Sequence, residues 1–227
     1  MRLIICIPFL LIMSCCTVSA QRDSMLMQTS KLVHQSQYFD YEGSPYYFKD
    51  WVQGNVLRTD ATYMKDVRLN YNGFTHEIEV QSGDEIYALD KRWYLRADIS
   101  RDENPALETG LPARLTFQLG LHRALADRYG AILFHGTHLT LIRDFNVGKQ
   151  RKEYSEFGVN NYVATFRDQS IVYLKRDNEL IPLKLHKKRI AEAFEHQDRI
   201  LDFIDREDLD VKRDTDLIRL VAYADQL

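Results

Sequence analysis

The spacing of apolar residues changes once along this chain, close to His186, and that change limits the possible folds more than any other feature. Before it, the runs 170–175 and 179–185 are short, apolar and separated by a polar turn, which is typical of a β-hairpin. Beyond it, apolar residues recur at helical spacing in three groups: Ile190 and Phe194, then Ile200, Phe203 and Ile204, then Leu217, Ile218 and Val221. Helices this short are not stable alone, so the sequence predicts two or three amphipathic helices docked on a larger body.

The residues before this point predict a body made of short strands. Between 51 and 99, five apolar or alternating runs are separated by turns, and Asn72-Gly73 is the strongest hairpin signal among them. A second hairpin is predicted around His135-Gly136-Thr137. We also expect a short helix at 121–129 and a charged, mobile excursion at 147–161.

These patterns predict a mainly β (α+β) fold: an antiparallel β meander that forms an open barrel or a sandwich and is capped by two or three short C-terminal helices. The expected organisation is a signal peptide at 1–20, a linker or first short element at 21–42, the β body at 43–185 and a helical cap at 186–227. A sub-boundary within the body is expected at the loop 100–112. The cap would cover a sheet edge or one barrel end, which protects unpaired strand edges from aggregation.

The N-terminus has the pattern of an export signal. Arg2 precedes an apolar run from Leu3 to Met13, and Val18-Ser19-Ala20 is a small-residue cleavage site. The apolar run is too short to span a bilayer, so no transmembrane segment is expected in the mature chain. We therefore expect cleavage after Ala20 and a location in the periplasm or cell envelope. The alternative is lipoprotein processing at Cys15.

The three cysteines, Cys6, Cys15 and Cys16, all lie in the predicted signal peptide. The mature chain would then contain none, which excludes disulfides, thiolate metal sites and a cysteine nucleophile. Its stability would come from an apolar core, which a composition of 45% hydrophobic residues can supply.

Several short stretches together resemble a group of small exported Bacteroidetes proteins with no assigned activity. The matching residues are Gly43-Ser44-Pro45-Tyr46, Gly54, Leu69-Asn70-Tyr71-Asn72, Glu77-Ile78-Glu79, Gly136, Tyr173-Leu174 and Leu180-Ile181-Pro182. The resemblance covers most of the mature chain. It implies an antiparallel β body with a helical end and an envelope location, and it brings no catalytic residues.

The aromatic residues Tyr46, Tyr47, Phe48 and Trp51 are the first candidate site. They belong to a tyrosine- and phenylalanine-rich region that begins at Tyr38. Aromatic rings give a large contact area with a polar tip, so such a run suits binding of a partner protein, a peptide or a sugar. Closing a barrel mouth or capping an edge strand explains the same residues structurally.

The basic residues Lys187, Lys188 and Arg189 are the second candidate site. At the start of a helix they suit a phosphate, an anionic lipid headgroup or lipopolysaccharide. The acidic residues that follow from Glu192 to Asp208 offer the alternative, because they could neutralise this basic cluster within the chain.

Other function classes find little support in the sequence. The net charge is −3, from 30 basic and 33 acidic residues, which offers no broad attraction to nucleic acid. His135 and His138 form a histidine pair, but no HExxH-like motif frames them, so we predict no metal site. The GxSxG, GxxxxGK and GxGxxG motifs are absent, and we expect no cofactor and no catalytic residues.

The leading hypothesis is therefore a non-enzymatic envelope protein that binds another protein or serves as an accessory subunit. The second is a carrier with a lipid or another small apolar ligand inside a β-barrel. A hydrolase is the third.

Overall fold

The chain is described from a computed structural model. The described residues are 25–34, 38, 41–107, 110–156 and 159–227, without the side chains of 154–156 and 159–161. The predicted signal peptide, its cleavage site and all three cysteines lie outside the described residues.

Fourteen strands form nearly half of the described structure. Their bounds are β1 (Ser30–Val33), β2 (Tyr41–Glu42), β3 (Val52–Arg58), β4 (Tyr63–Asn72), β5 (Glu77–Ser82), β6 (Glu85–Leu89), β7 (Tyr94–Ser100), β8 (Arg114–Leu119), β9 (Tyr129–His135), β10 (Leu139–Asp144), β11 (Val147–Glu156), β12 (Val159–Asp168), β13 (Ile171–Arg176) and β14 (Glu179–Pro182). Eleven of them form one main sheet in the order β1-β6-β5-β4-β3-β7-β8-β9-β10-β13-β14. Every pair of neighbours in that sheet is antiparallel, which confirms the predicted antiparallel β body.

The main sheet is strongly curled. Between β4 and β9 lie three other strands, so a flat sheet would separate them by about 19 Å. Yet Tyr71 of β4 reaches both Phe117 of β8 and Tyr129 of β9, with ring centroids 5.2 Å and 6.2 Å apart. The backbone N–H of Val147 also donates to the carbonyl of Gly73 at the end of β4. One curled sheet with free edges at β1 and β14 therefore forms the body, as an open barrel does.

Alternation along the strands gives this sheet an inner and an outer face. The inner face carries the core, where Tyr71, Tyr94, Phe117 and Tyr129 are at most 1% exposed. Aromatic side chains of this size fill the interior, and each of them buries more apolar surface than a smaller side chain would. The outer face carries the intervening side chains, among them the fully buried Glu79.

Strands β11 and β12 form a long ribbon, and this corrects the expectation of a loop at 147–161. Each is ten residues long, and they pair along their whole length. β2 pairs in parallel with β12 through Ala164 and Thr165, which makes a small three-stranded sheet. Solvent reaches both faces of the ribbon, so its strands carry no apolar alternation from which they could be predicted.

Three helices close the chain: α1 (Lys187–Ala191), α2 (Gln197–Arg206) and α3 (Asp214–Ala224). Their apolar stripes are buried, with no exposure at Ile190, Ile200, Leu217, Leu220 and Val221. α3 lies against β9 and β10, and its Tyr223 stacks on Phe203 of α2 at 4.0 Å between ring centroids. None of the helices in the described ranges has the length and apolar composition that crossing a bilayer requires.

In two shorter segments, the structure differs from the sequence-based expectation or adds detail to it. The prediction of a helix at 121–129 is wrong, because the structure has only a 3₁₀ turn there, at Arg123–Leu125. Tyr129 instead begins β9, where its hydroxyl donates to the Tyr94 carbonyl at 2.6 Å in the core. In the region expected as a linker or first element, residues 25–29 are helical, and β1 pairs with β6.

Candidate functional site

Six aromatic side chains from three separate parts of the chain meet at the base of the ribbon. We call them the aromatic cluster, and it consists of Tyr38, Tyr41, Tyr46, Trp51, Phe74 and Phe166. Four precede β3, one lies in the β4–β5 turn and one lies on β12. The parallel pairing of β2 with β12 is what brings the N-terminal members to Phe166. All six side chains are partly exposed, so the cluster is a surface feature.

The rings of the cluster are in direct contact. Tyr41 stacks on Phe166 at 4.8 Å between centroids and 20° between planes, while Tyr38 meets Phe166 edge-on at 5.7 Å. Trp51 lies 5.8 Å from Tyr46 on the other side. These are favoured aromatic geometries, each worth about 0.5–1.5 kcal/mol beyond the area that it buries. The cluster is therefore a preformed surface and not a set of independent side chains.

Gly43 allows the backbone to approach this cluster closely. Its φ is +87°, a conformation that L side chains rarely adopt, and a Cβ there would lie 3.3 Å from the Phe166 carbonyl oxygen. The turn after β2 thus needs glycine, both for its positive φ and for its close approach to Phe166. Lys149 of β11 covers the other side, with its Nζ 4.3 Å from the Tyr41 ring centroid.

A buried glutamate holds two of the rings from behind. Glu79 of β5 is fully buried on the outer face of the main sheet, between the inward-facing Ile78 and Val80. The Tyr46 hydroxyl donates to its Oε2 at 2.8 Å, and the Asn72 side-chain amide donates to its Oε1 at 2.8 Å. The same Asn72 amide nitrogen donates to the Tyr38 hydroxyl at 2.9 Å. This network fixes the ring positions of both tyrosines.

Burial dominates the electrostatics of the network. Desolvation raises the pKa of Glu79 above its ordinary value, and the hydrogen bonds from Asn72 and Tyr46 oppose this only in part. Desolvation, with the Glu79 carboxylate nearby, also raises the pKa of the Tyr46 hydroxyl. Both carboxyl oxygens already accept a hydrogen bond and no solvent reaches them, so the network suits rigid positioning better than proton transfer to a substrate.

The four aromatic residues singled out by the sequence divide into two pairs. Tyr46 and Trp51 belong to the aromatic cluster. Phe48 is 6% exposed and packs on Phe117 in the core, and the partly buried Tyr47 packs against that core with its ring centroid 5.0 Å from that of Phe117. The aromatic-rich region from Tyr38 onward was visible in the sequence, whereas no local signal singled out Phe74, Phe166 or Glu79.

Two of the three residues in the basic cluster form ion pairs with carboxylates of the same chain. Lys187 forms an ion pair with Asp205, and an Arg189 guanidinium nitrogen lies 3.3 Å from a Glu192 carboxylate oxygen. Lys188 is exposed. These pairs are the internal neutralisation that the sequence analysis gave as the alternative to anion binding.

The histidine pair is held by separate interactions. A ring nitrogen of His135 lies 3.0 Å from the Thr140 hydroxyl, whereas the His138 backbone N–H donates to Asp225. Within the described ranges, no three His, Cys, Asp or Glu residues form a group suited to a metal ion.

Comparison with known proteins identifies no matching family model, no matching curated protein and no matching solved structure. The function is therefore argued from the residues of this chain.

Proposed function

We propose that this chain is a non-enzymatic, exported envelope protein that binds another protein through the aromatic cluster. The observation that carries the proposal is the mutual contact of six partly exposed aromatic side chains, two of which are hydrogen-bonded to the buried Glu79 network. Aromatic residues dominate the energetics of protein interfaces because they bury a large area and lose little conformational freedom. A surface whose rings are already held in place loses still less conformational freedom when a partner binds.

The ribbon adds a second surface suited to a protein partner. β11 is an edge strand of the small sheet, and in the described elements the ribbon packs extensively only on β2. The unpaired backbone groups of an edge strand can accept an extended segment of another protein. Lys149, Arg151 and Lys152 on β11 would repel the same strand of a second copy, which favours a different partner.

The barrel interior favours this proposal over the carrier hypothesis. The fully buried Tyr71, Tyr94, Phe117 and Tyr129 occupy the inner face, and Tyr129 also hydrogen-bonds to the backbone of β7. A lipid inside the barrel would have to displace these side chains, which costs packing and a buried hydrogen bond. Protein binding at the aromatic cluster requires no such rearrangement.

Site-specific photo-crosslinking in the native cell tests the proposal. A photoreactive phenylalanine derivative at the position of Trp51 is expected to give a discrete crosslinked protein. The control carries the same group at the position of Trp93, which is 45% exposed in the turn between β6 and β7. The proposal is contradicted if position 51 gives no discrete product, or if both positions give the same set of products.

A further inference from the structure

A groove of about 750 Å³ crosses the outer face of the main sheet, away from the aromatic cluster. It is lined by residues from β7, β8, β9, β10 and β13. The strand register explains the floor, because Thr116, Ile132 and Ile142 are directly paired across three neighbouring strands. The groove shares no lining residue with the aromatic cluster, so its role is independent of the proposed function.

The lining is apolar in the middle. Ile132 supplies the accessible part of the floor beside the fully buried Ile142, and Leu121, Pro112 and Ile218 add apolar walls. Thr116, Gln118 and Thr140 supply hydroxyl and amide groups between them. A volume of this size with apolar walls and a few polar groups is typical of sites for small organic molecules.

The charges of the lining have a single sign. Arg96, Arg114 and Lys175 line the groove, and the described lining contains no Asp or Glu. This is notable in a chain with more acidic than basic residues and a net charge of −3. Cations grouped over an apolar floor attract an anion, because the low-dielectric walls strengthen the local field.

One of these cations is fixed in place, and two remain available. Arg96 donates from Nε to Asp98 at 3.0 Å and from a terminal nitrogen to the Tyr63 hydroxyl at 2.8 Å. Asp98, which also accepts from Thr116 at 2.8 Å, therefore neutralises Arg96. In the part of the chain that the structure describes, the side chains of Arg114 and Lys175 have no hydrogen-bond or ion-pair partner.

We propose that the outer groove binds a small organic anion with a compact apolar body. The acidic group lies between Arg114 and Lys175, and the apolar body lies against Ile132 and Leu121. The charge complementarity selects an anion over a neutral compound, and the isoleucine floor selects an apolar body over an inorganic ion.

A matched pair of probes tests this binding. Isothermal titration of the mature protein with 1-anilinonaphthalene-8-sulfonate is expected to give saturable binding of one molecule per chain. N-phenyl-1-naphthylamine, which has the same apolar body without the sulfonate, is expected to bind about tenfold more weakly or worse. Raising the ionic strength should weaken only the sulfonate. Equal affinity for the two probes overturns the proposal.

Variants locate the site. Arg114→Gln with Lys175→Gln is expected to weaken sulfonate binding about tenfold, and Gln118→Glu, which keeps the side-chain size, should do the same. The control, Lys31→Gln with Lys188→Gln, removes two positive charges from exposed positions outside the groove and should change the affinity less than twofold. Retained binding in either groove variant, or an equal loss in the control, overturns the assignment.

A separate variant distinguishes this site from the aromatic cluster. Trp51→Ala should leave the sulfonate affinity within twofold of the wild type. If Trp51→Ala abolishes sulfonate binding while the groove variants retain it, the anion site in the groove is refuted and the aromatic cluster binds the probe.

Discussion

Glutamine in place of Glu79 would remove a buried charge while keeping its hydrogen bonds. Tyr46 and Asn72 each hold one oxygen of the fully buried carboxyl. In Glu79→Gln, the side-chain oxygen can still accept from Asn72, and the NH₂ group can donate to the Tyr46 hydroxyl, which rotates to accept it. The variant therefore imitates the protonated carboxyl and isolates the cost of ionising it.

The raised pKa of Glu79 determines whether Glu79→Gln stabilises or destabilises the protein at a given pH. Burial raises the pKa of Glu79 above 4.5, so the folded chain binds this proton more tightly than the unfolded chain. The stability that this group contributes is fully present below the unfolded-state pKa and is lost as the pH rises through the folded-state pKa. One proton changes the free energy of unfolding by at most about 1.4 kcal/mol per pH unit between those limits. At higher pH, Glu79→Gln is expected to be more stable than the wild type.

Urea unfolding at half-unit steps from about pH 4 to pH 8 measures this difference. The advantage of Glu79→Gln should be smallest at the acid end, grow with pH and then level off. Glu103→Gln, the same substitution at an exposed loop position, should give no such trend. Glu79→Ala removes both acceptors and should cost about 2–4 kcal/mol at the acid end, and this cost should fall as the pH rises, because the wild type alone carries the carboxyl that ionises. A flat difference for Glu79→Gln, or one that grows in favour of the wild type, would refute the reasoning.

Three further predictions concern the core and the cap. The Asp225 carboxylate accepts hydrogen bonds from three backbone N–H groups of the β9–β10 turn, and a Cβ on Gly136 would clash with it. Gly136→Ala should therefore lower the melting temperature of the wild-type protein. In an Asp225→Ala background, the same substitution should lower the melting temperature much less. An equal effect in both backgrounds would exclude that clash. Leu220→Ala, at a fully buried position of α3, should cost about 2–5 kcal/mol in urea unfolding, and a loss under 1 kcal/mol would contradict tight docking of the cap. Tyr129→Phe should cost about 0.5–1.5 kcal/mol through the lost bond to Tyr94, and no change would show that this bond contributes nothing.

Local chemistry explains which parts of the fold the sequence predicts. The hairpins around Asn72-Gly73 and His135-Gly136-Thr137 depend on turn residues and on alternation within a few positions, and both are present. The cap was predictable because Ile200 and Leu217 belong to stripes with helical spacing, and both are fully buried. Such signals need no knowledge of distant contacts.

The candidate site depends on distant contacts, which a single sequence does not reveal. Phe166 reaches Tyr41 only through the parallel pairing of β12 with β2, more than a hundred residues away in the chain. Glu79 occupies an alternating polar position that is typical of an exposed strand face, yet residues from before β3 cover it. The ribbon was missed for the related reason that neither of its faces is part of a core.

Native mass spectrometry of the protein, purified gently from the cells that produce it, tests the proposed function most directly. The account predicts a co-purifying protein of discrete mass that is lost when Tyr41→Ala and Trp51→Ala are combined. The complex should persist in Trp93→Ala, which removes an exposed aromatic residue outside the aromatic cluster. A bare chain in the wild type, or an added mass of lipid size that survives the double substitution, would contradict protein binding at the aromatic cluster.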